Sequence, residues 1–201
     1  MKQLMAWLAA GIMLIVAGRY SYEVYKRKIS PTFSTWLILL SGTSLSLITY
    51  TVASNRDFQS GILNTIDVVV SFIIVLSIMI WEKNLKLSFK PFEKKYLLVA
   101  IGIIIFWAIS KDAFVSNLLV QVLLTIGYLP TMQNLIKEKR NVESFIAWSL
   151  GLTAGFLALY PAIAGGNILA TIYSLRTIVL IGIVLGLMSF YRKNAKKRSK
   201  K

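Results

Sequence analysis

Apolar residues in this chain fall into seven long runs, and no other feature restricts its fold as strongly. A helix needs about 20 mainly apolar residues to cross a hydrocarbon core roughly 30 Å thick at 1.5 Å per residue. The runs are Leu4–Tyr22, Phe33–Val52, Ile62–Trp81, Phe92–Ile109, Ala113–Ile136, Val142–Tyr160 and Asn167–Tyr191. The fourth is the weakest, because its unbroken apolar part is only Tyr96–Ile109, and Lys94 and Lys95 are expected to snorkel at its end. The connections are too short to fold alone. They predict an all-α integral membrane protein with seven transmembrane helices in one domain, 1–201. Composition agrees: charged residues are 15% of the chain, against about a quarter in soluble domains, and mean hydropathy is +0.67.

The net charge of +15 raises nucleic acid as a partner, but its placement argues for a membrane. Segments 26–32, 82–95, 137–141 and 192–201 hold 18 of the 23 basic residues, and alternate connections hold almost none. The positive-inside rule then puts the N-terminus outside and the C-terminus in the cytoplasm, in what we expect to be a bacterial cytoplasmic membrane. Seven of the last ten residues, Arg192–Lys201, are basic, which predicts a topology anchor attracted to anionic lipid rather than a nucleic-acid arm. The first apolar run has its basic cluster after it, not before it, so it reads as a retained span rather than a cleaved leader.

Several chemistries are excluded by residue type. The chain has no His and no Cys, so imidazole catalysis, thiol nucleophiles, disulfides and Cys/His metal sites are absent. No Walker loop, dinucleotide fingerprint or nucleophile elbow is present. We therefore expect no enzyme activity, no cofactor and no metal.

The chain also repeats itself at an offset near 109 residues. Gly18 and Tyr20 answer Gly127 and Tyr128, and Lys26-Arg27-Lys28 answers Lys137-Glu138-Lys139. Thr32-Phe33-Ser34-Thr35-Trp36 answers Ser144-Phe145-Ile146-Ala147-Trp148 after a short insertion. In the third and seventh spans Met79, Trp81 and Lys83 align with Met188, Phe190 and Arg192. This divides the chain into repeat one (1–84), a linker helix (85–111), repeat two (112–191) and the basic tail (192–201). An odd linker span is what keeps two three-helix copies in the same orientation. Parallel repeats of this kind place a solute site at their interface near the bilayer midplane.

Gly127-Tyr128-Leu129-Pro130-Thr131, the basic loop from Lys137, and Glu143 through Leu150 resemble the PQ-loop pattern of a mid-helix proline, a basic loop and an aromatic-rich helix. The 3+1+3 layout is similar to that of the SWEET-like (MtN3-like) seven-span membrane proteins. The resemblance implies a transporter that rocks one half against the other without ATP, with Gly127 and Pro130 as hinge. It also implies asparagines in spans 3 and 7 for a sugar. Asn64 matches the first, whereas Tyr173 holds the register position of the second and Asn167 lies six residues earlier. Thr131 stands in place of the name-giving Gln, and Ser21-Tyr22 replaces Pro-Gln in the first copy. A receptor or assembly factor of the same architecture is the alternative, because the inner halves of spans 3 and 7 (Phe72–Ile80 and Ile178–Met188) are nearly all apolar.

The candidate ligand-binding residues are Asn64, Asp67, Gln121, Tyr128, Tyr173 and Arg176. Asp67 and Arg176 occupy equivalent repeat positions, each 14 residues from an aromatic residue at the basic end of its span. At 1.5 Å per residue both lie about 21 Å from that interface, so an ion pair across the central axis and a shared ligand site are both open. Polar stripes surround them: Asn64, Asp67 and Ser71; Asn117, Gln121, Thr125 and Tyr128; Tyr173, Arg176 and Thr177. Such stripes face protein or a wet cavity, and helix–helix hydrogen bonding explains them equally well. Trp36 and Trp148 read first as interfacial belt residues. Arg19 and Glu23 read as an i,i+4 pair. Gly151-x-x-x-Gly155 and Gly182-x-x-x-Gly186 read as close packing within the chain, with a homo-oligomer interface as the other reading. The expected partners are a small polar solute and the lipid bilayer.

Overall fold

The computed structural model describes residues 1–29, 31, 33–81, 91–139 and 143–198. Thr32, Lys83, Arg140 and the last three residues of the basic tail lie outside the described residues. The described chain is all-α: α1 (Lys2–Tyr25), α2 (Phe33–Ala53), α3 (Ile62–Trp81), α4 (Pro91–Ser110), α5 (Ala113–Gly127), α6 (Leu129–Glu138), α7 (Phe145–Ala164) and α8 (Ile168–Arg198). Segments α5 and α6 are two parts of one rod, so the described residues form seven rods.

Six rods are long and apolar enough to cross a membrane, not seven. The exception is α4, whose first turn carries Glu93, Lys94 and Lys95 and leaves the apolar part short. The other boundaries agree with the apolar runs to within a few residues: α3 matches its run, α1 is longer at both ends, α7 begins at Phe145 rather than Val142 and runs to Ala164, and α8 runs on to Arg198.

Small residues decide which helices meet. The buried face of α1 includes Ala6, Ala9, Ala10, Met13, Val16, Ala17 and Tyr20, and that of α7 includes Ala147, Gly151, Ala154, Gly155 and Ala158. Helix α1 packs against α7 and α3, α2 against α5 and α3, and α7 against α8. Without side-chain bulk the backbones approach closely, and apolar helices then associate by packing rather than by excluding water. A Cβ at Gly155 would sit 3.0 Å from Ile178 of α8, and one at Gly151 would sit 3.4 Å from Ile181. Gly182 and Gly186 instead meet nothing within 4 Å and are exposed, so only the first small-residue motif packs within the chain. Another close approach is at Gly42 of α2, where a Cβ would fall 2.6 Å from the Tyr96 hydroxyl and 2.7 Å from Leu124.

The rod of α5 and α6 breaks at Tyr128, between the predicted hinge residues. Pro130 lies in the first turn of α6, and a ring there removes the N–H that would continue the ladder to Ile126. Tyr128 closes a shorter bond to the Thr125 carbonyl instead, at 3.2 Å.

Candidate functional site

A cavity of about 80 Å³ lies among six rods, with α1, α2, α3, the α5–α6 break, α7 and α8 all contributing walls. Among the described residues, helix α4 contributes none of the lining. One water needs roughly 10–15 Å³ on this measure, so there is room for several waters or a small solute.

The polar part of the cavity is built by α3 and α8. The Tyr173 hydroxyl donates to Asp67 Oδ2 at 2.7 Å. Arg176, one turn further along α8, lays its guanidinium over the Tyr173 ring at 4.5 Å and donates from Nη2 to Thr177 Oγ1 at 3.3 Å. Its Nε and Nη1 are buried without an acceptor. The direct ion pair, one of the two readings left open by the sequence, is not formed: among the described residues no Asp67–Arg176 contact falls within salt-bridge distance. Tyr173 takes the carboxylate and offers the guanidinium its ring face, so both charges are held by one aromatic residue.

The second part is aromatic and lies toward the basic end of the bundle. Tyr20 and Trp36 pack edge to face at 4.9 Å, and Tyr128 and Trp148 do so at 6.0 Å. Trp36 Nε1 donates to the Tyr20 oxygen at 3.1 Å, and the Tyr20 hydroxyl donates to Glu143 Oε2 at 2.9 Å. Trp148 Nε1 donates to the same carboxylate oxygen at 3.2 Å. Burial pushes the Glu143 carboxyl above its ordinary value, against the lowering effect of these two donors. Trp36 also lines a cleft of about 10 Å³ shared with Pro130, Asn134 and Glu143, so its ring separates two spaces. Trp36 and Trp148, expected as interfacial belt residues, are therefore cavity walls.

Four of the six candidate ligand-binding residues, Asp67, Tyr128, Tyr173 and Arg176, converge on the cavity. Asn64 and Gln121 do not line it. Asn64 donates to Ser46 Oγ at 3.1 Å, and Gln121 donates to Ser46 Oγ at 3.1 Å and Asn117 Oδ1 at 3.0 Å. Asn117 in turn donates to the Ser46 carbonyl and Thr49 Oγ1, both at 2.9 Å. These side chains knit α2, α3 and α5 together. Asn167 is no cavity residue either: its Oδ1 accepts from the Ala170 N–H at 3.1 Å as the α8 N-cap, and its Nδ2 donates to the Tyr50 hydroxyl at 3.0 Å.

Two further polar features lie off the cavity. Arg19 and Glu23 pair as expected, at 2.7 Å. At the far end of the bundle, Asp57 accepts from the Ser60 N–H at 3.2 Å and lies 3.9 Å from the Lys2 ammonium. Burial alone would raise the Asp57 carboxyl, but the Ser60 bonds, the Lys2 charge and Asn167 outweigh it and hold it below its ordinary value.

Sequence reasoning missed Tyr20 and Glu143. The signal for Tyr20 was its repeat relation to Tyr128. Glu143 stands out only as an acid beside the basic stretch Lys137–Arg140. No family model, no curated protein and no solved structure matches the chain.

Proposed function

We propose that this multi-span membrane protein binds a small polar solute in its central cavity and moves it by ATP-independent alternating access. The observation that carries this reading is the cavity itself, walled by six rods and holding two ionisable side chains away from lipid. Intramembrane charges mark solute pathways because leaving them in hydrocarbon is costly. A SWEET-like 3+1+3 arrangement, with α4 as the linker helix between two three-helix repeats, is supported by the way the helices pair. Helix α1 meets α7 as α5 meets α2, and α3 and α8 each contact the helices before them in their own repeat.

In this reading the aromatic cluster of Tyr20, Trp36, Tyr128 and Trp148 is the gate at the basic end, latched by Glu143. The Tyr20–Glu143 bond joins repeat one to repeat two, so it must part when the halves rock. The break at Tyr128, between Gly127 and Pro130, is where the rod bends. We place the N-terminus outside and the basic end in the cytoplasm of a bacterial membrane. Impermeant labelling of Asn55→Cys but not Lys139→Cys from outside supports that topology, and the converse pattern overturns it.

The alternative is a non-transporting receptor or assembly factor. The observation favouring it is that much of the cavity lining, including Leu39, Val70, Leu124 and Ile181, is apolar and offers a polar solute few onward steps. Proteoliposome flux with sugars, nucleosides and amino acids separates the two. Saturable uptake supports transport, and saturable binding with no flux supports the receptor.

A further inference from the structure

The cavity holds one anion and one cation that do not pair with each other. Among the described residues, Arg176 is the only cation lining it and Asp67 the only anion. The guanidinium has five N–H donors, and the three on Nε and Nη1 find no acceptor. Buried donors in folded proteins are almost always satisfied, so a group with this many vacancies beside a cavity points to an acceptor that arrives with a ligand. Asp67 Oδ2 is taken by Tyr173, and its other oxygen has no protein donor bonded to it among the described residues. The tyrosine between them keeps the two charges apart, so the cavity lining is neutral overall yet strongly dipolar.

Resting on the reading of this cavity as a solute site, we propose that its ligand is a small zwitterion. Its carboxylate is received by Arg176 and its ammonium by Asp67. A neutral sugar would leave both charges unneutralised inside the bilayer, which low dielectric penalises. A simple anion or cation would satisfy one charge and add a like charge near the other. A zwitterion neutralises both and leaves the net charge of the site unchanged. Size agrees, since the cavity suits a solute of on the order of ten non-hydrogen atoms rather than a disaccharide. The Trp36 and Trp148 rings then face the apolar side of the ligand.

Calorimetric titration of the full chain in nanodiscs tests this with four related probes: L-valine, isovalerate (no ammonium), isobutylamine (no carboxylate) and valinamide, with glucose as a neutral polyol. Each charge-assisted contact is worth at least about tenfold in affinity, so valine is expected to bind about tenfold or more tighter than any of the others. Arg176→Gln should bring valine to the level of isobutylamine, and Asp67→Asn should bring it to the level of isovalerate. The comparison in the unaltered protein stands even if a variant fails to fold. Isovalerate or isobutylamine binding as tightly as valine overturns the zwitterion in favour of a simple ion. Glucose binding without valine binding overturns the zwitterion while leaving the solute site intact. Failure of every probe to bind overturns the zwitterion and removes support for the solute site itself.

Discussion

Two polar residues of α3, Asn64 and Asp67, stand one helical turn apart and end in different surroundings. Asn64 joins Ser46, Thr49, Asn117 and Gln121 in a network where α2, α3 and α5 lie close enough for side chains to bond directly. Two amide oxygens, Asn64 Oδ1 and Gln121 Oε1, remain without a donor, but they are neutral and no described cavity adjoins them. Asp67 reaches the space between α3 and α8, where the helices stand apart and one tyrosine bridges the gap. There the unsatisfied group is a guanidinium. Where small residues let helices close up, polar side chains serve as glue. Where bulkier side chains such as Tyr173 fill the space between helices, the same residue types face a cavity instead.

Asn117→Ala should have the largest effect on stability. It deletes two donated bonds and one accepted bond at a fully buried site and leaves a void, so we expect a loss of about 2–3 kcal/mol in reversible unfolding. Solute affinity should stay within about twofold, because the network is held apart from the cavity. A tenfold fall in affinity would erase the distinction between the two clusters. The converse variant is Tyr173→Phe, which keeps the ring under Arg176 but removes the hydroxyl that holds Asp67. We expect about 1–2 kcal/mol of destabilisation, tempered by the modest worth of hydrogen bonds in membranes, together with altered affinity for charged solutes. A change in stability with no change in affinity would make this cluster as structural as the other.

Smaller effects are expected from the two ionisable groups at the ends of the bundle, and they carry opposite signs. Glu143 has its folded pKa raised by burial, so the native state binds protons more readily than the unfolded chain. Stability should therefore fall as pH rises through the range just above the ordinary carboxyl value of 4.5, and Glu143→Gln should flatten that slope. Asp57 has its pKa lowered, chiefly because the Ser60 bonds and Lys2 outweigh burial. Its contribution is present above 3.8 and is lost as pH falls through the lowered value, and Asp57→Asn should remove this acid sensitivity. This is the smallest effect, since the Asp57 side chain is 31% exposed. Parallel rather than opposite pH slopes from the two variants would contradict these assignments.

Hydrophobic run length alone determined that the chain is a helical membrane protein, because a span must satisfy its backbone internally and its length follows from bilayer thickness. The same arithmetic marked α4 as the exception in waiting, through Glu93, Lys94 and Lys95. Repeat register put Asp67 and Arg176 at one depth, and both do reach the same cavity. Helical spacing could not tell which polar stripe would face that cavity. Asn64 and Gln121 looked as eligible as Asp67 and Tyr128, since period and depth specify a face but not the helix that will cover it. That covering was decided by packing between rods distant in sequence. Gly42 admits Tyr96 and Leu124 beside α2, the small face of α7 lies against α1 and α8, and Tyr173 inserts between the two charges. A residue's partner depends on how closely two backbones can approach. That distance is set by side chains on both helices at once, so only the assembled bundle could settle whether a polar group became glue or site.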